Sequence, residues 1–295
     1  MHVLVSCKTT NLDVHGESIR RKISSGLLSE SHLERLQEDH RQHHASLETL
    51  LRELEKHNIS YVEVGRGLYW PDLSGVDGVI TLGGDGTVLE ASHHISDENI
   101  PVLGVRSSDM SVGFLCSCEG DGIPGMIQKL ATGQFQTREV SRLEAKVRFT
   151  DTGGEMTTEP VLNDFLYTNK NPAATTRYKV MLGDTHEVHK SSGIWLSTAA
   201  GSTAAISAAG GTPVDFYRDD FQFLVREPYT PPSSSKYKIA SGFFDPDKTD
   251  LVIENHCDQA VLALDGQRGS VSLNFGDTLK FSRAEPLHLI KSGDS

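Results

Sequence analysis

The first 139 residues alternate short apolar segments with longer amphipathic ones. Apolar runs predict strands at 2–7, 59–64, 76–82 and 101–105. Helices are predicted from an N-cap at Ser29 or Ser31 to about residue 57, over 87–95, and over 124–130 with an end at Gly133. Because strands that alternate with helices favour parallel pairing, this part of the chain is predicted to be an α/β domain with a parallel sheet.

From residue 140 onward the pattern changes to short strands separated by turn residues. Strands are predicted at 145–149, 178–182, 251–254, 261–264 and 271–275, with a Pro- and Ser-rich loop at 228–235. The chain has 295 residues, which is longer than the usual single core. We therefore predict two domains, an α/β domain over 1–139 and a β-rich domain over 140–276.

Composition and charge exclude some classes of partner. No apolar run approaches the ~18 residues that span a membrane, and the N-terminal sequence resembles neither a signal peptide nor a transit segment. A cytoplasmic protein without a membrane partner is therefore expected. The formal net charge of -12 argues against nucleic acid as a partner. It does not argue against a nucleotide, because a protein binds small phosphates locally.

Histidines cluster at His40, His43 and His44, and again at His93 and His94. A metal site needs further ligands, and no carboxylate or cysteine completes such a site in the sequence pattern. These histidines are therefore predicted to be solvated helix residues.

The strongest candidate for chemistry is a glycine-rich loop at 83–87, Gly-Gly-Asp-Gly-Thr, at the end of an apolar strand. Glycine lets a ligand approach the backbone, and the N-terminus of the next helix offers N–H donors to phosphate. The Asp85 carboxylate would repel phosphate, so we expect it to act on a hydroxyl group of the substrate. It would first accept a hydrogen bond from that hydroxyl and then take its proton. The alternative is a tight turn with a helix-capping Asp. The loop is neither a Walker A loop nor a Rossmann fingerprint.

Two further segments carry polar groups that suit a sugar or a flat ring. The segment at 197–211 is rich in small residues and offers the hydroxyls of Ser202 and Thr203 on a turn that enters a helix. Asn163 and Asp164 lie inside an apolar strand, where an amide and a carboxylate suit adjacent sugar hydroxyls. A packed small-residue helix and a strand-end turn are the structural alternatives.

Taken in order, the motifs at 83–87, 113–115, 163–164, 198–205 with 210–211, and 265–266 resemble the motif set of the NAD kinases. The first motif alone is shared with diacylglycerol and sphingosine kinases, whereas the ordered set is specific. The sequences at 140–142, 191–193, 199–205 and 225–228 resemble those of the NADH-kinase branch typified by plants. The resemblance implies a two-domain fold whose last segment, 277–295, returns to the first domain. It also implies an active site between the domains, a homo-oligomer that is at least a dimer, and ATP with Mg²⁺ as phosphoryl donor.

The resemblance also implies a role for each motif residue. Asp85 would be the general base on the 2′-hydroxyl of the adenosine ribose. Nucleotide phosphates would contact Gly83, Gly84, Gly86, Thr87 and Arg106. The dinucleotide, NAD or NADH, would contact Phe114, Asn163, Asp164, Ser192, Thr198, Ser202, Thr203, Ala204 and Asp265. Of these, Phe114 would lie against the adenine, Asn163 would bind the adenosine moiety and Asp164 the other ribose.

This chain departs from the usual family pattern at two positions that matter for the dinucleotide, and Arg106 also stands where an Asn is common. Ala205 stands where a Tyr is usual, and Ser192 where an Asp is usual. Loss of a carboxylate penalises cationic NAD⁺ more than NADH, by less than about 1 kcal/mol for one screened charge. The predicted function is ATP-dependent phosphorylation of NADH, of NAD or of both, with polyphosphate left open as a donor.

Two alternative functions stay open at this point. A lipid kinase of the diacylglycerol or sphingosine type explains the loop at 83–87 but neither 163–164 nor 198–205. A catalytically silent NAD(H)-binding sensor explains the dinucleotide motifs but has no need of Asp85.

Overall fold

The computed structural model describes residues 1–65, 67, 69–96, 99–230 and 237–292. The chain divides into two compact units: unit 1 comprises Met1–Glu139 and Leu287–Ser295, and unit 2 comprises Val140–Pro286. Most of the loop predicted at 228–235 lies outside the described residues, as do residues 293–295 of the segment predicted to return to the first domain.

The structure contains seventeen strands and five α-helices among the described residues. The strands are β1 (His2–Cys7), β2 (Ser60–Gly65), β3 (Gly78–Gly83), β4 (Val102–Arg106), β5 (Cys118–Glu119), β6 (Thr137–Arg148), β7 (Glu155–Thr157), β8 (Asp164–Asn169), β9 (Thr176–Leu182), β10 (Thr185–Ser191), β11 (Gly193–Ser197), β12 (Phe221–Arg226), β13 (Ser241–Phe244), β14 (Leu251–Asn255), β15 (Ala260–Leu264), β16 (Gly269–Leu273) and β17 (Thr278–Ile290). The helices are α1 (Asn11–Ser24), α2 (Glu30–Lys56), α3 (Asp85–Ser92), α4 (Ile123–Thr132) and α5 (Ala205–Ala208), with 3₁₀ turns at Gly120–Gly122 and Ala200–Thr203.

Unit 1 is built on a parallel sheet. Its strands lie in the order β2, β1, β3, β4, and the last residues of β17 pair in parallel with β4. Every residue of β3 is buried, as expected for a parallel strand covered on both faces. Gly83 pairs with Arg106 and Leu82 with Cys7. The carboxyl ends of β1, β3 and β4 therefore lie side by side, which is where open α/β sheets bind ligands.

Local signals in the sequence set the ends of the helices of unit 1. Ser29 caps α2, because its hydroxyl accepts the backbone N–H of His32 at 3.3 Å. Leu50 and Leu54 on α2 are fully buried against the sheet core. Gly133 ends α4 in the left-handed conformation, with a φ of 68°. The sequence pattern missed α1, in which Ile19 is the one buried residue.

Unit 2 is a two-layer β structure. One sheet has the strand order β13, β12, β11, β8, β15, β16, and all of its pairings are antiparallel. The other contains β10, β9, β14 and β17, with β6 pairing with both β17 and β7. The two sheets bury an apolar core in which the rings of Phe165 and Phe281 lie 5.7 Å apart.

The predicted fold class, an α/β N-terminal domain followed by a β-rich C-terminal domain, is confirmed. The small-residue segment at 197–211 is less helical than predicted, since α5 has four residues and follows a 3₁₀ turn. None of the described helices combines the length and the hydropathy needed to cross a membrane.

Candidate active site

The glycine-rich loop joins β3 to α3 in unit 1. A Cβ atom on Gly83 would lie 2.0 Å from Oγ1 of Thr87, and one on Gly84 would lie 2.6 Å from the backbone O of Val112. Both positions therefore require glycine because neighbouring atoms fill the space. Gly86 is exposed and has open space around it. The loop thus packs tightly on its protein side and is open at Gly86.

The amides of the loop are partly engaged within the protein. The N–H of Asp85 donates to the backbone O of Val112 at 2.9 Å, and the N–H of Thr87 donates to the backbone O of Gly84 at 2.9 Å. The N–H groups of Asp85 and Thr87 are therefore not available to phosphate.

Asp85 is the half-buried carboxylate at the first position of α3. Its Oδ1 accepts the backbone N–H of Leu115 at 2.8 Å. Burial raises the pKa of Asp85, and this outweighs the opposing effects of the backbone N–H groups of Leu115 and Phe114 and of the Arg106 charge. A carboxylate with a raised pKa is a better proton acceptor, so Asp85 suits a general base.

Arg106, at the end of β4, uses its guanidinium to hold the loop that follows. Its Nε donates to the backbone O of Ser111 at 2.8 Å, and its Nη2 to that of Asp109 at 2.9 Å. Its Nη1 donates to Glu119 at 2.8 Å. We call residues 107–116 the arginine-held loop. The structure thus shows Arg106 in a positioning role, and its predicted contact with phosphate stays a prediction.

An open cavity of about 730 Å³ runs along the arginine-held loop, a size typical of ligand pockets. Met110, Val112 and Phe114 of this loop are exposed, and 73% of Phe114 is accessible to solvent. An exposed Phe beside a cavity offers a flat apolar surface to a ring. This is the setting expected for a residue that lies against adenine.

Lys8 lies beside the glycine-rich loop, where a Cβ atom on Gly83 would be 3.1 Å from its Cβ, and the sequence analysis missed it. Its Nζ donates to Oδ1 of Asp39 at 2.7 Å and to Oγ of Ser111 at 3.1 Å. Lys8 directly follows β1, next to the end of β3, and its backbone N–H donates to the O of Leu82. Its position after the first strand of a parallel sheet was a signal that could have identified it.

In unit 2, Asp265 holds the segment that leads into β8. Its carboxylate accepts the backbone N–H groups of Leu162 at 2.9 Å, Asn163 at 2.8 Å and Asp164 at 2.9 Å. Asp265 is buried and has a φ of 43°, in the left-handed region that Asp tolerates better than most residues. These three hydrogen bonds make Asp265 a structural anchor of the segment that carries Asn163 and Asp164.

Asp164 differs from Asp265 although the two are neighbours. Only 4% of it is exposed, and no hydrogen bond among the described residues reaches its carboxylate. Burial and then the charge of Asp265 raise the pKa of Asp164 to about 7. At neutral pH, Asp164 is therefore able to donate as well as accept a hydrogen bond.

The small-residue segment packs against Asn163. The N–H of Thr198 donates to the backbone O of Asn163 at 2.9 Å, and a Cβ atom on Gly201 would lie 2.1 Å from that same oxygen. The hydroxyl of Ser202 accepts the N–H of Val214 at 3.2 Å. Thr203 is exposed and Ala204 is half-buried in the same turn.

The strand register shows which predicted residues of unit 2 lie together. Ser197 pairs with Asp164, and Leu264 with Phe165. Asn163, Asp164, Thr198 and Asp265 therefore meet at one end of the six-stranded sheet. Ser192 lies at the other end of β11, about 20 Å along the strand from Thr198 at ~3.3 Å per residue. The structure does not bring Ser192 to this cluster.

The histidine prediction needs a correction. His43 is buried rather than solvated, and burial lowers its pKa to about 4. A carboxylate does lie beside the other two histidines of α2, because Oδ1 of Asp13 is within 3.4 Å of His40 and His44. The sequence pattern missed this partner because it missed α1, which carries Asp13.

Comparisons with known proteins agree with these features. Residues 27–135 match the family described as the ATP-NAD kinase N-terminal domain. The chain is 30% identical to a probable NADH kinase of Oryza sativa subsp. japonica, over 79% of this chain and 76% of that protein. It is 29% identical to an NADH kinase of Arabidopsis thaliana, over 79% of this chain and 78% of that protein.

Solved structures show the same fold at low sequence identity. An NAD kinase from Archaeoglobus fulgidus in complex with ATP aligns with a TM-score of 0.68 and 16% identity, over 99% of this chain and 94% of that one. Yeast NADH kinase complexed with NADH aligns with a TM-score of 0.68 and 16% identity, over 99% of this chain and 84% of that one.

Proposed function

Because this chain belongs to the NAD kinase family, we propose that it transfers the γ-phosphoryl group of ATP to the 2′-hydroxyl of the adenosine ribose of NADH or NAD. The product is NADPH or NADP. The observation that carries the proposal is Asp85, a half-buried carboxylate with a raised pKa at the ligand-binding end of a parallel sheet. The relatives in rice and Arabidopsis, both named as NADH kinases, support the choice of dinucleotide.

Asp85 acts as the general base. It takes the proton of the 2′-hydroxyl while the hydroxyl oxygen forms a bond to the γ-phosphorus. The bond between that phosphorus and the β–γ bridging oxygen breaks, and ADP leaves with the electron pair. The hydrogen bond from Leu115 to Oδ1 fixes the carboxylate, so that it faces the hydroxyl in one orientation.

Each unit carries groups that suit a dinucleotide. Phe114 offers its exposed ring to adenine, Asn163 binds the adenosine moiety, and Asp164 binds the other ribose with a group that can donate and accept. Thr203 and Ala204 line the adenine pocket. Thr198 and Asp265 act by holding the segment around Asn163 in place, and Ser202 acts by holding Val214.

Mg²⁺ fits this site as a partner of the ATP phosphates. Mg²⁺ prefers oxygen ligands and in phosphotransferases is held by one or two carboxylates together with substrate phosphates and waters. Among the described residues no group of three potential ligands forms a cage at the loop, so the ATP phosphates and water would supply most of the ligands of the ion, leaving Asp85 to act as the base. When bound, Mg²⁺ would offset the negative charge of the phosphates.

Three finer points stay predictions. A homo-oligomer that is at least a dimer and a cytoplasmic location are expected from family resemblance and sequence pattern. A modest preference for NADH is expected from Ser192 and Ala205, of which Ala205 is exposed and offers no ring to adenine. Among the predicted dinucleotide contacts of unit 2, that of Ser192 has the least support, because the strand register places Ser192 at the opposite end of β11 from Thr198.

A coupled assay tests the proposed function. The purified protein is incubated with Mg·ATP and with NADH, NAD⁺ or diacylglycerol, and NADP(H) is detected with an NADP-specific dehydrogenase. We expect NADPH from NADH at a rate at least equal to that of NADP from NAD⁺. Phosphorylated lipid would indicate the lipid-kinase alternative, and NADH binding without NADPH formation would indicate the sensor. A parallel reaction with polyphosphate in place of ATP identifies the donor.

A further inference from the structure

A cluster of metal-ligating side chains lies where α1 meets α2, and none of its members is assigned to the reaction. His40 and His44 are four residues apart on α2 and share one face of the helix. Oδ1 of Asp13 lies 3.4 Å from Nδ1 of His40 and 3.3 Å from Nε2 of His44. Ligand atoms of all three residues fall within 4.8 Å of one another.

Thr10 binds the second carboxylate oxygen of Asp13. Oδ2 accepts the backbone N–H of Thr10 at 2.9 Å and the hydroxyl of Thr10 at 2.7 Å, in the capping box that starts α1. Asp13 is therefore oriented by Thr10, with Oδ2 fully used and Oδ1 directed at both imidazoles. A ligand carboxylate held by an outer hydrogen bond in this way is a regular feature of metal sites.

The distances are long for hydrogen bonds and suit the spacing of ligand atoms around a metal ion. Hydrogen bonds between nitrogen and oxygen cluster near 2.9–3.0 Å, shorter than both contacts of Asp13 Oδ1. In a tetrahedral zinc site with bonds of about 2.0–2.2 Å, adjacent ligand atoms lie about 3.3–3.5 Å apart. The two contacts match that spacing.

We propose that Asp13, His40 and His44 bind one divalent transition-metal ion of the zinc class, with water at the fourth position. Two imidazoles and one carboxylate suit Zn²⁺, Co²⁺ or Ni²⁺ and not Mg²⁺, which prefers oxygen ligands alone. The ligands are partly exposed, which gives the ion a path of entry. The ion fastens the start of α1 to the middle of α2.

One existing contact competes with the metal. Oγ1 of Thr10 lies 2.8 Å from Nδ1 of His40, so this imidazole has a hydrogen-bond partner when no ion is bound. Coordination through Nδ1 replaces that contact. A purely hydrogen-bonded cluster is therefore the alternative that the experiment must separate from a metal site.

The test uses the full chain, freed of metal with a chelator and titrated with Zn²⁺ in a calorimeter. We expect one equivalent of Zn²⁺ to bind and to raise the Tm. The His40→Gln/His44→Gln double variant should bind at least about 100-fold more weakly, since loss of direct ligands exceeds the effect of outer-shell partners. The matched control is His15→Gln/His32→Gln, which removes two exposed histidines from the same two helices and should bind as wild type does.

Co²⁺ provides a second readout that does not depend on affinity. Wild type should show the intense visible absorption of a four-coordinate Co²⁺ site, and the double variant should not. Circular dichroism checks that the double variant is folded. Equal Zn²⁺ affinity in wild type and the double variant, or no one-equivalent binding by wild type, would overturn the proposal.

Discussion

Asp85 in unit 1 and Asp265 in unit 2 are both carboxylates that accept backbone N–H groups, yet their surroundings differ. Asp265 is buried and accepts three such bonds, from Leu162, Asn163 and Asp164. Asp85 is half-exposed, and Leu115 N–H binds its Oδ1 while burial raises its pKa. A buried carboxylate that accepts three backbone donors holds a segment in place, whereas a half-exposed one that keeps acceptor capacity is able to take a proton.

The loss of each carboxylate should therefore have a different consequence. Removing the Asp85 carboxylate should affect the reaction and spare the fold. Removing the Asp265 carboxylate should affect the fold of unit 2 first and dinucleotide binding through it.

Asp85→Asn is expected to have the largest effect on the reaction. The amide cannot accept the proton, so kcat should fall by about 10²–10⁴-fold, the usual contribution of a general base. The Kd for NADH, measured by its fluorescence, should stay within a few-fold of wild type. Asp72→Asn, which changes an exposed carboxylate of unit 1, is the control. Turnover near the wild-type rate would show that Asp85 is not the base.

Asp265→Ala is expected to have the next largest effect, on stability. It leaves buried N–H groups without acceptors and puts Ala at a φ of 43°. The free energy of unfolding, from urea denaturation, should fall by about 3 kcal/mol or more. Asp265→Asn keeps an acceptor oxygen and tolerates the left-handed conformation, so it should lose less. Equal losses in the two variants would argue against the anchoring role.

Gly84→Ala should reduce activity by a smaller factor. The new Cβ would lie 2.6 Å from the backbone O of Val112, so the glycine-rich loop and the arginine-held loop must separate. A displacement of this kind should lower kcat/KM by about 10–100-fold. Gly125→Ala, on α4 with open space around it, is the matched control. An unchanged kcat/KM would indicate that the spacing of the two loops is not important.

Asp164→Asn should leave activity least affected, and its effect should be visible in the pH dependence of stability. The pKa of Asp164 is about 7 in the folded protein against an ordinary value of 3.8. Native protein therefore keeps a proton that the unfolded chain releases. The contribution of protonated Asp164 to the free energy of unfolding is fully present below about pH 4 and is lost as the pH rises through 7. The free energy of unfolding therefore falls by up to ~1.4 kcal/mol per pH unit in this range. Urea denaturation of the variant between pH 5 and 7 should lack this slope. The same slope in both proteins would assign it to another group.

Much of the fold was predictable because its signals are local. The apolar runs of β1, β3 and β4, the Ser29 cap and the Gly133 end each depend on a few neighbouring residues. Helix α1 was missed because its buried face is narrow, although Thr10 and Asp13 form a capping box at its start.

The sequence predicted which residues belong to the candidate site, but not how these residues are arranged in space. The glycines and Asp85 follow from a strand, a turn and a helix N-terminus. The engagement of Arg106 depends on how the arginine-held loop folds back, and the distance of Ser192 from Thr198 depends on strand register. The partner of His40 and His44 depends on the packing of α1 on α2. None of these is encoded in local spacing.

The pH dependence of kcat at saturating NADH and Mg·ATP tests the role of Asp85 most directly. In wild type, kcat should fall as the pH is lowered through the pKa of Asp85, at an apparent pKa above the ordinary value of 3.8. The residual activity of Asp85→Asn should lack this acid limb, while any limb that belongs to the nucleotide remains in both proteins. An acid limb of the same position and depth in the two proteins would contradict the assignment of Asp85 as the base.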